Sequence, residues 1–173
     1  MLELATERLL LRPHRADDAE FMVELNSDPA VVRYTGDGAV NLAEAKRIIA
    51  SLRAQYLKEK IGRFVVIEKA TARRVGWGGL KRLPETGEID LGYRFLRSEW
   101  GKGYATETAA ACLAYGFLTL GFRRITAQAD PRNAASIRVL QKIGMIESGS
   151  GLGFEIEKEG FLRRSKTNGR LPG

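Results

Sequence analysis

Several residue types that catalysis often draws on are nearly missing from this chain. Its 173 residues include one cysteine, Cys112, and one histidine, His14. A single cysteine cannot form an internal disulfide, which fits a reducing compartment. Cys112 and His14 lie far apart and make no zinc-binding pattern, so no metal is expected. A Ser-His-Asp mechanism would rest on His14 alone. That residue follows Pro13 at the expected end of a strand, where a surface histidine is the plainer reading. Aromatics are few, at 8%, and there is no RNA-binding motif, so nucleic acid is not an expected partner. No apolar run approaches the roughly 20 residues that span a bilayer, so neither is a membrane. The first residues place acids before a short apolar run and arginines after it, the reverse of a secretory signal. A cytoplasmic location is expected.

What is present describes one folded domain. Hydrophobic residues make up 44% and charged residues 28%, ordinary for a chain with a core. The net charge of +7 favours an anionic partner, a phosphate-rich cofactor among them, without choosing one. Arg8-Leu9-Leu10-Leu11-Arg12 is a strand closed by Pro13. Residues 16–27 have helical spacing, and Asp28-Pro29 interrupts. Asn41 and Glu44 have the spacing of a capping box, which opens a helix ending near Lys60 with Ile48, Ile49, Leu52 and Tyr56 inward. Three strands follow, at residues 64–67, 75–83 and 88–96, the last alternating strictly. A helix is expected over 104–120, with a small-residue stripe of Ala105, Ala109, Cys112 and Gly116 that lets it lie close on a sheet. Cys112 is therefore read as packing rather than as a nucleophile. A strand at 124–129, a helix at 133–142, strands near 145–147 and 154–162, and a frayed basic tail from Arg163 complete the order. An antiparallel half joined to a strand–helix–strand unit implies a mixed α/β sheet with helices on both faces.

The chemistry concentrates in Glu99-Trp100-Gly101-Lys102-Gly103-Tyr104-Ala105-Thr106, between a strand and a helix start. Glycines let backbone approach an anion, a helix N-terminus adds partial positive charge, and Lys102 adds a full one. The segment reads as a phosphate cradle, or as an ordinary glycine turn. No Walker A loop is present. Gly101, Gly103 and Thr106 approximate a dinucleotide fingerprint, with Asp130 at a tolerable distance, but too little chain follows for further βα units.

Three stretches together resemble a known family. These are Thr6-Glu7-Arg8-Leu9-Leu10-Leu11-Arg12-Pro13 with Asp17-Asp18-Ala19; Leu91-Gly92-Tyr93 with Trp100 to Glu107; and Asp130-Pro131-Arg132-Asn133-Ala134-Ala135-Ser136 running to Met145. In order and at this spacing they are similar to the GCN5-related N-acetyltransferases (GNAT), in the branch of the RimJ/RimL ribosomal-protein acetyltransferases. The resemblance implies a GNAT fold, with a central mixed sheet of six or seven strands. Residues 1–165 would form one acetyltransferase domain and 166–173 a disordered basic tail.

It also implies acetyl-CoA as co-substrate. Its pyrophosphate would lie on the amides of Gly101, Lys102, Gly103, Tyr104, Ala105 and Thr106, beside Trp100. Its pantetheine arm would pair with backbone near Phe95, Leu96 and Arg97, and Asn133 and Ser136 would face that arm. Asn133 equally reads as a helix cap. The reaction would move an acetyl group to a primary amine, on a protein N-terminus or on a small molecule such as an amino acid, polyamine or drug, by direct attack in a ternary complex. The chain's basic character disfavours a polycationic acceptor. Ser136 is the candidate proton donor to the leaving thiolate. The base is Asp90 or, second, Glu88; a structural ion pair of Asp90 with Arg94 on the same strand face is the competing reading. A homodimer is left open.

Overall fold

A computed structural model describes residues 3–149 and 153–167. One sheet of eight strands carries the fold: β1 (Leu4–Ala5), β2 (Leu9–Arg12), β3 (Gly62–Glu68), β4 (Arg74–Arg82), β5 (Ile89–Phe95), β6 (Arg124–Gln128), β7 (Ile146–Glu147) and β8 (Gly153–Glu157). The spatial order is β1-β2-β3-β4-β5-β6-β8-β7, and all neighbours are antiparallel except β5 and β6. The count exceeds the expected six or seven because β1 and β7 are too short to show a sequence period.

The helices are α1 (Ala19–Ser27), α2 (Pro29–Val32), α3 (Leu42–Glu59), α4 (Tyr104–Ala114), α5 (Ala134–Lys142) and α6 (Lys158–Thr167). Asn41 caps α3 in a reciprocal capping box with Glu44, as its spacing predicts. Ile49 and Tyr56 turn inward from α3, whereas Ile48 is partly exposed. One face of the sheet packs Val65 on Phe21 and Leu25 of α1. The other sets Phe64, Val66 and Leu91 against Ala109, Cys112 and Leu113 of α4. Cys112 is fully packed, and burial pushes its thiol up to about 12, so it is no nucleophile. The small-residue stripe lets α4 approach: a Cβ on Gly116 would come within 2.8 Å of Ile125 and Leu80 methyls. That residue sits in a π-helical turn, Tyr115–Thr119, which widens the helix end where one α-helix is expected.

Two further expectations fail. His14 is buried, not on the surface, at 3% exposure. The segment expected as a strand running to Leu162 and a frayed tail is instead β8 followed by α6, which carries Phe161 into the core against Phe117 at 5.1 Å. The apolar pair Phe161-Leu162 fits either period, and the Phe117 contact selects the helix. Helix α6 reaches Thr167; residues 168–173, the rest of the expected tail, lie outside the described residues.

Candidate active site

The loop before α4 is built for close backbone approach. Gly101 and Gly103 hold φ of +78° and +83°, the left-handed region where a Cβ is strained. No side chain caps α4, so its first N–H groups point outward from the helix start. The electrostatics differ from the expected full charge on Lys102: its ammonium is held 2.7 Å from buried Glu99, which Arg73 also pairs. The Lys102 hydrogen bond keeps the Glu99 carboxyl below its ordinary range. A second cation lies nearby. Arg8 donates to the Lys102 carbonyl at 2.9 Å and covers the Tyr104 ring at 4.8 Å. Arg8 and Thr6 both bind Glu107 of α4, so the opening motif fastens the chain's start to this loop.

β5 and β6 pair in parallel through Asp90↔Thr126 and Leu91↔Ala127 only. Beyond Leu91 the strands part. The Ile89 carbonyl meets Thr126 of β6, and the Leu96 N–H meets Val75 of β4. Alternation then turns the polar backbone of Tyr93 and Phe95 toward the gap. The Phe95 carbonyl accepts from the Trp100 indole N–H at 3.0 Å. The carbonyls of Leu96 and Arg97 accept from Glu99 and Trp100 N–H groups. Of the backbone expected to meet pantetheine, the Phe95 N–H faces the gap, and Tyr93 joins it.

A cavity of about 1100 Å³ opens along the gap, just above the roughly 300–1,000 Å³ typical of small-molecule sites. It touches both faces of β5. Tyr93, Asn133 and Ser136 line its α5 side. The Tyr93 hydroxyl lies 3.1 Å from Ser136 Oγ, and burial pushes it up to about 12, so it stays protonated at neutral pH. The Asn133 side chain accepts from the Ser136 N–H, which makes it the cap of α5.

On the α1 side lie Asp90, Arg63, Trp77, Arg94, Asn26 and His14. The Asp90–Arg94 pair of the competing reading is absent. Asp90 instead accepts from Arg63 of β3 at 2.6 Å, two strands away. The reach is possible because Arg63 opposes Gly79 and Gly79 opposes Gly92, a bare lane across β4 and β5. A Cβ on Gly92 would lie 2.7 Å from the Arg63 guanidinium. Burial raises the Asp90 carboxyl above its ordinary value, and Arg63 only partly offsets this. Arg94 instead bonds Asn26 and pairs with Asp37 at 3.0 Å. The Trp77 ring centre lies 5.4 Å from the Arg63 guanidinium and 5.3 Å from that of Arg94. Glu88, the second candidate base, is not in the cavity lining and pairs with Arg124 at 3.0 Å.

Sequence reasoning missed Arg63, Trp77, Arg94 and Tyr93 as site residues. Leu91-Gly92-Tyr93 was the available signal, since a glycine inside a strand marks a close approach.

A mixed sheet splayed between its parallel neighbours, with a glycine loop at a helix start beside the splay, defines an acyl-transfer scaffold of the GNAT class. The comparisons agree. The acetyltransferase (GNAT) domain family matches residues 8–146, and the chain belongs to that family. The uncharacterized N-acetyltransferase p20 of Bacillus licheniformis is 33% identical over 99% of this chain and 92% of its own. The crystal structure of a GNAT-family acetyltransferase from Bacillus anthracis superposes with a TM-score of 0.80 at 27% identity, covering 91% of this chain and 99% of that one. Mycobacterium smegmatis RimJ in complex with CoA-disulfide shares the fold, with a TM-score of 0.81 at 21% identity over 98% and 95% of the chains. The protein is an acetyltransferase, and its named homologues are N-acetyltransferases.

Proposed function

We propose that this enzyme takes acetyl-CoA as co-substrate and acetylates a primary amine by direct attack in a ternary complex, as a RimJ/RimL-like member of its family. The observation that carries the reading is the cavity at the parting of β5 and β6, which meets both faces of the sheet. Two substrates can enter from opposite sides and meet between the strands. The uncapped start of α4 and the Gly101–Gly103 backbone suit a pyrophosphate, with Lys102, Tyr104, Ala105 and Thr106 supplying amides. Tyr93 and Phe95 offer strand-like pairing to the pantetheine amides, and Asn133 and Ser136 border the arm.

The chemistry follows from what lines each side. An ordinary amine near pKa ~10 is mostly protonated at pH 7, so a proton must leave first. Asp90 takes it, directly or through water; burial makes its carboxylate a stronger base than a surface aspartate. The amine nitrogen then bonds the acetyl carbon and the carbon–sulfur bond breaks. Backbone N–H groups of β5 in the gap steady the developing oxyanion. Ser136, backed by the Tyr93 hydroxyl, relays to the departing thiolate the second proton, which the nitrogen sheds on becoming an amide.

The test is ligand-linked stability. CoA at 100 times its Kd should stabilise the protein by about 2.7 kcal/mol, read as a rise in Tm. NAD(H) and ATP should give none. A shift with NAD(H) and none with CoA would return the loop to the dinucleotide reading. Turnover of acetyl-CoA against a panel of amines then reports the acceptor.

A further inference from the structure

Arg94 poses a problem of charge. Its side chain is 8% exposed and its Nε, among the described residues, has no partner. Asn26, which accepts from it, is neutral. A buried guanidinium requires an anion. The same problem at Arg12 is solved inside the core: Asp18, fully buried, accepts from Arg12 at 2.7 and 2.9 Å. Arg94 is answered differently. Its carboxylate comes from Asp37, 58% exposed, on the loop between α2 and α3 with Gly36 and Gly38 on either side. No other carboxylate among the described residues pairs with it.

Two more observations point the same way. His14 lines this cavity with both ring nitrogens buried and unpartnered. Six arginine and lysine side chains line the cavity against three aspartates, a poor setting for an acceptor carrying further positive charge.

We infer that the acetyl acceptor is a small amine bearing a carboxylate a few bonds from its nitrogen, an amino acid in class, whose carboxylate takes the place of Asp37 on Arg94. The planar guanidinium matches a carboxylate in two-point contact. The Arg94 and Arg63 guanidinium groups both lie within 5.4 Å of the Trp77 ring centre, and Arg63 holds Asp90, so a molecule anchored at Arg94 sits in the same cavity as Asp90. Asp37, on its exposed loop, neutralises Arg94 until the acceptor arrives. The inference rests on the acetyl-transfer reading given above and narrows it.

The experiment pairs acceptors that differ only in the carboxylate. The twenty proteinogenic amino acids are assayed with acetyl-CoA beside decarboxylated counterparts such as isopentylamine for leucine and phenethylamine for phenylalanine, with spermidine as a polycation. The carboxylated member of the best pair should have the higher kcat/KM. Arg94→Gln should raise its KM roughly 30-fold or more, the usual result of truncating one partner of a buried charge pair. Asp37→Ala, on the exposed loop, should lower that KM and widen the preference for the carboxylated member over its decarboxylated counterpart; it carries the test if Arg94→Gln does not fold. Preference for amines without a carboxylate, or an Asp37→Ala KM that does not move, overturns the inference and leaves acetyl transfer standing. A different failure is no turnover of any amine while amino acids still raise the Tm of the CoA-loaded protein, more so in Asp37→Ala. That result sinks the transfer reading and keeps the carboxylate subsite. Neither turnover nor a Tm response overturns both.

Discussion

At the residue scale, the buried His14 makes the fold sensitive to acid. Burial lowers its ring to about 4 from an ordinary 6.5. The folded state prefers the neutral ring, so the stability involved is fully present above pH 6.5 and is lost as pH falls through 4. The gap is worth about 3 kcal/mol. Because the chain has one histidine, His14→Leu should flatten the stability–pH curve across that window, measured by urea unfolding at pH 7 and pH 4.5. Asp90 has the opposite sign: its raised carboxyl favours folding at low pH and loses that contribution as pH rises. Asp90→Asn should lower kcat roughly 10²–10⁴-fold and alter the acidic limb of the rate profile, with CoA affinity unmoved. If Asp90 only partners Arg63, kcat stays near normal and stability falls by about 1–3 kcal/mol. The sequence showed Asp90 on a strand face but supplied the wrong partner. Residues four apart on a strand lie about 13 Å apart, whereas Arg63 crosses a lane that only the sheet register reveals.

At the scale of elements, strong local signals were legible and weak ones were not. The capping box of α3, the alternation of β5 and the glycine stop after α5 each act within a few residues, and each element forms where its signal lies. The C-terminal segment has no such signal. Its helix is selected by contacts with residues far back in the chain: Phe161 on Phe117, and Arg164 passing over Gly144, where a Cβ would lie 2.6 Å away. Phe161→Ala should therefore cost about 3–5 kcal/mol, the usual result of emptying a buried aromatic site. A denaturant midpoint measures it. A frayed tail would give no change.

At the scale of the whole molecule, the opening motif was recognisable as a pattern, yet its purpose was not. Thr6 and Arg8 reach Glu107 from about a hundred positions away, and nothing local announces that closure. The cavity's charge was hidden for a similar reason. The +7 balance is a sum over the chain, while the charge on the α1 side of the cavity is set by which arginines the sheet turns inward. The splayed strands have a consequence in time as well as in space. β5 is zipped to β4 along its whole length but to β6 at two positions only. The Tyr93 and Phe95 amides thus stand at an open rung of the ladder, where deuterium from solvent enters fastest. Acetyl-CoA should close that rung: in hydrogen–deuterium exchange these amides should slow strongly on binding, while the β4-facing amides of Gly92 and Arg94 scarcely change. Unaltered exchange at Tyr93 and Phe95 would place the pantetheine elsewhere. On the acetyl-transfer reading proposed above, the sheet is finished only when its co-substrate lies in it, so the enzyme between turnovers is a slightly unzipped version of itself.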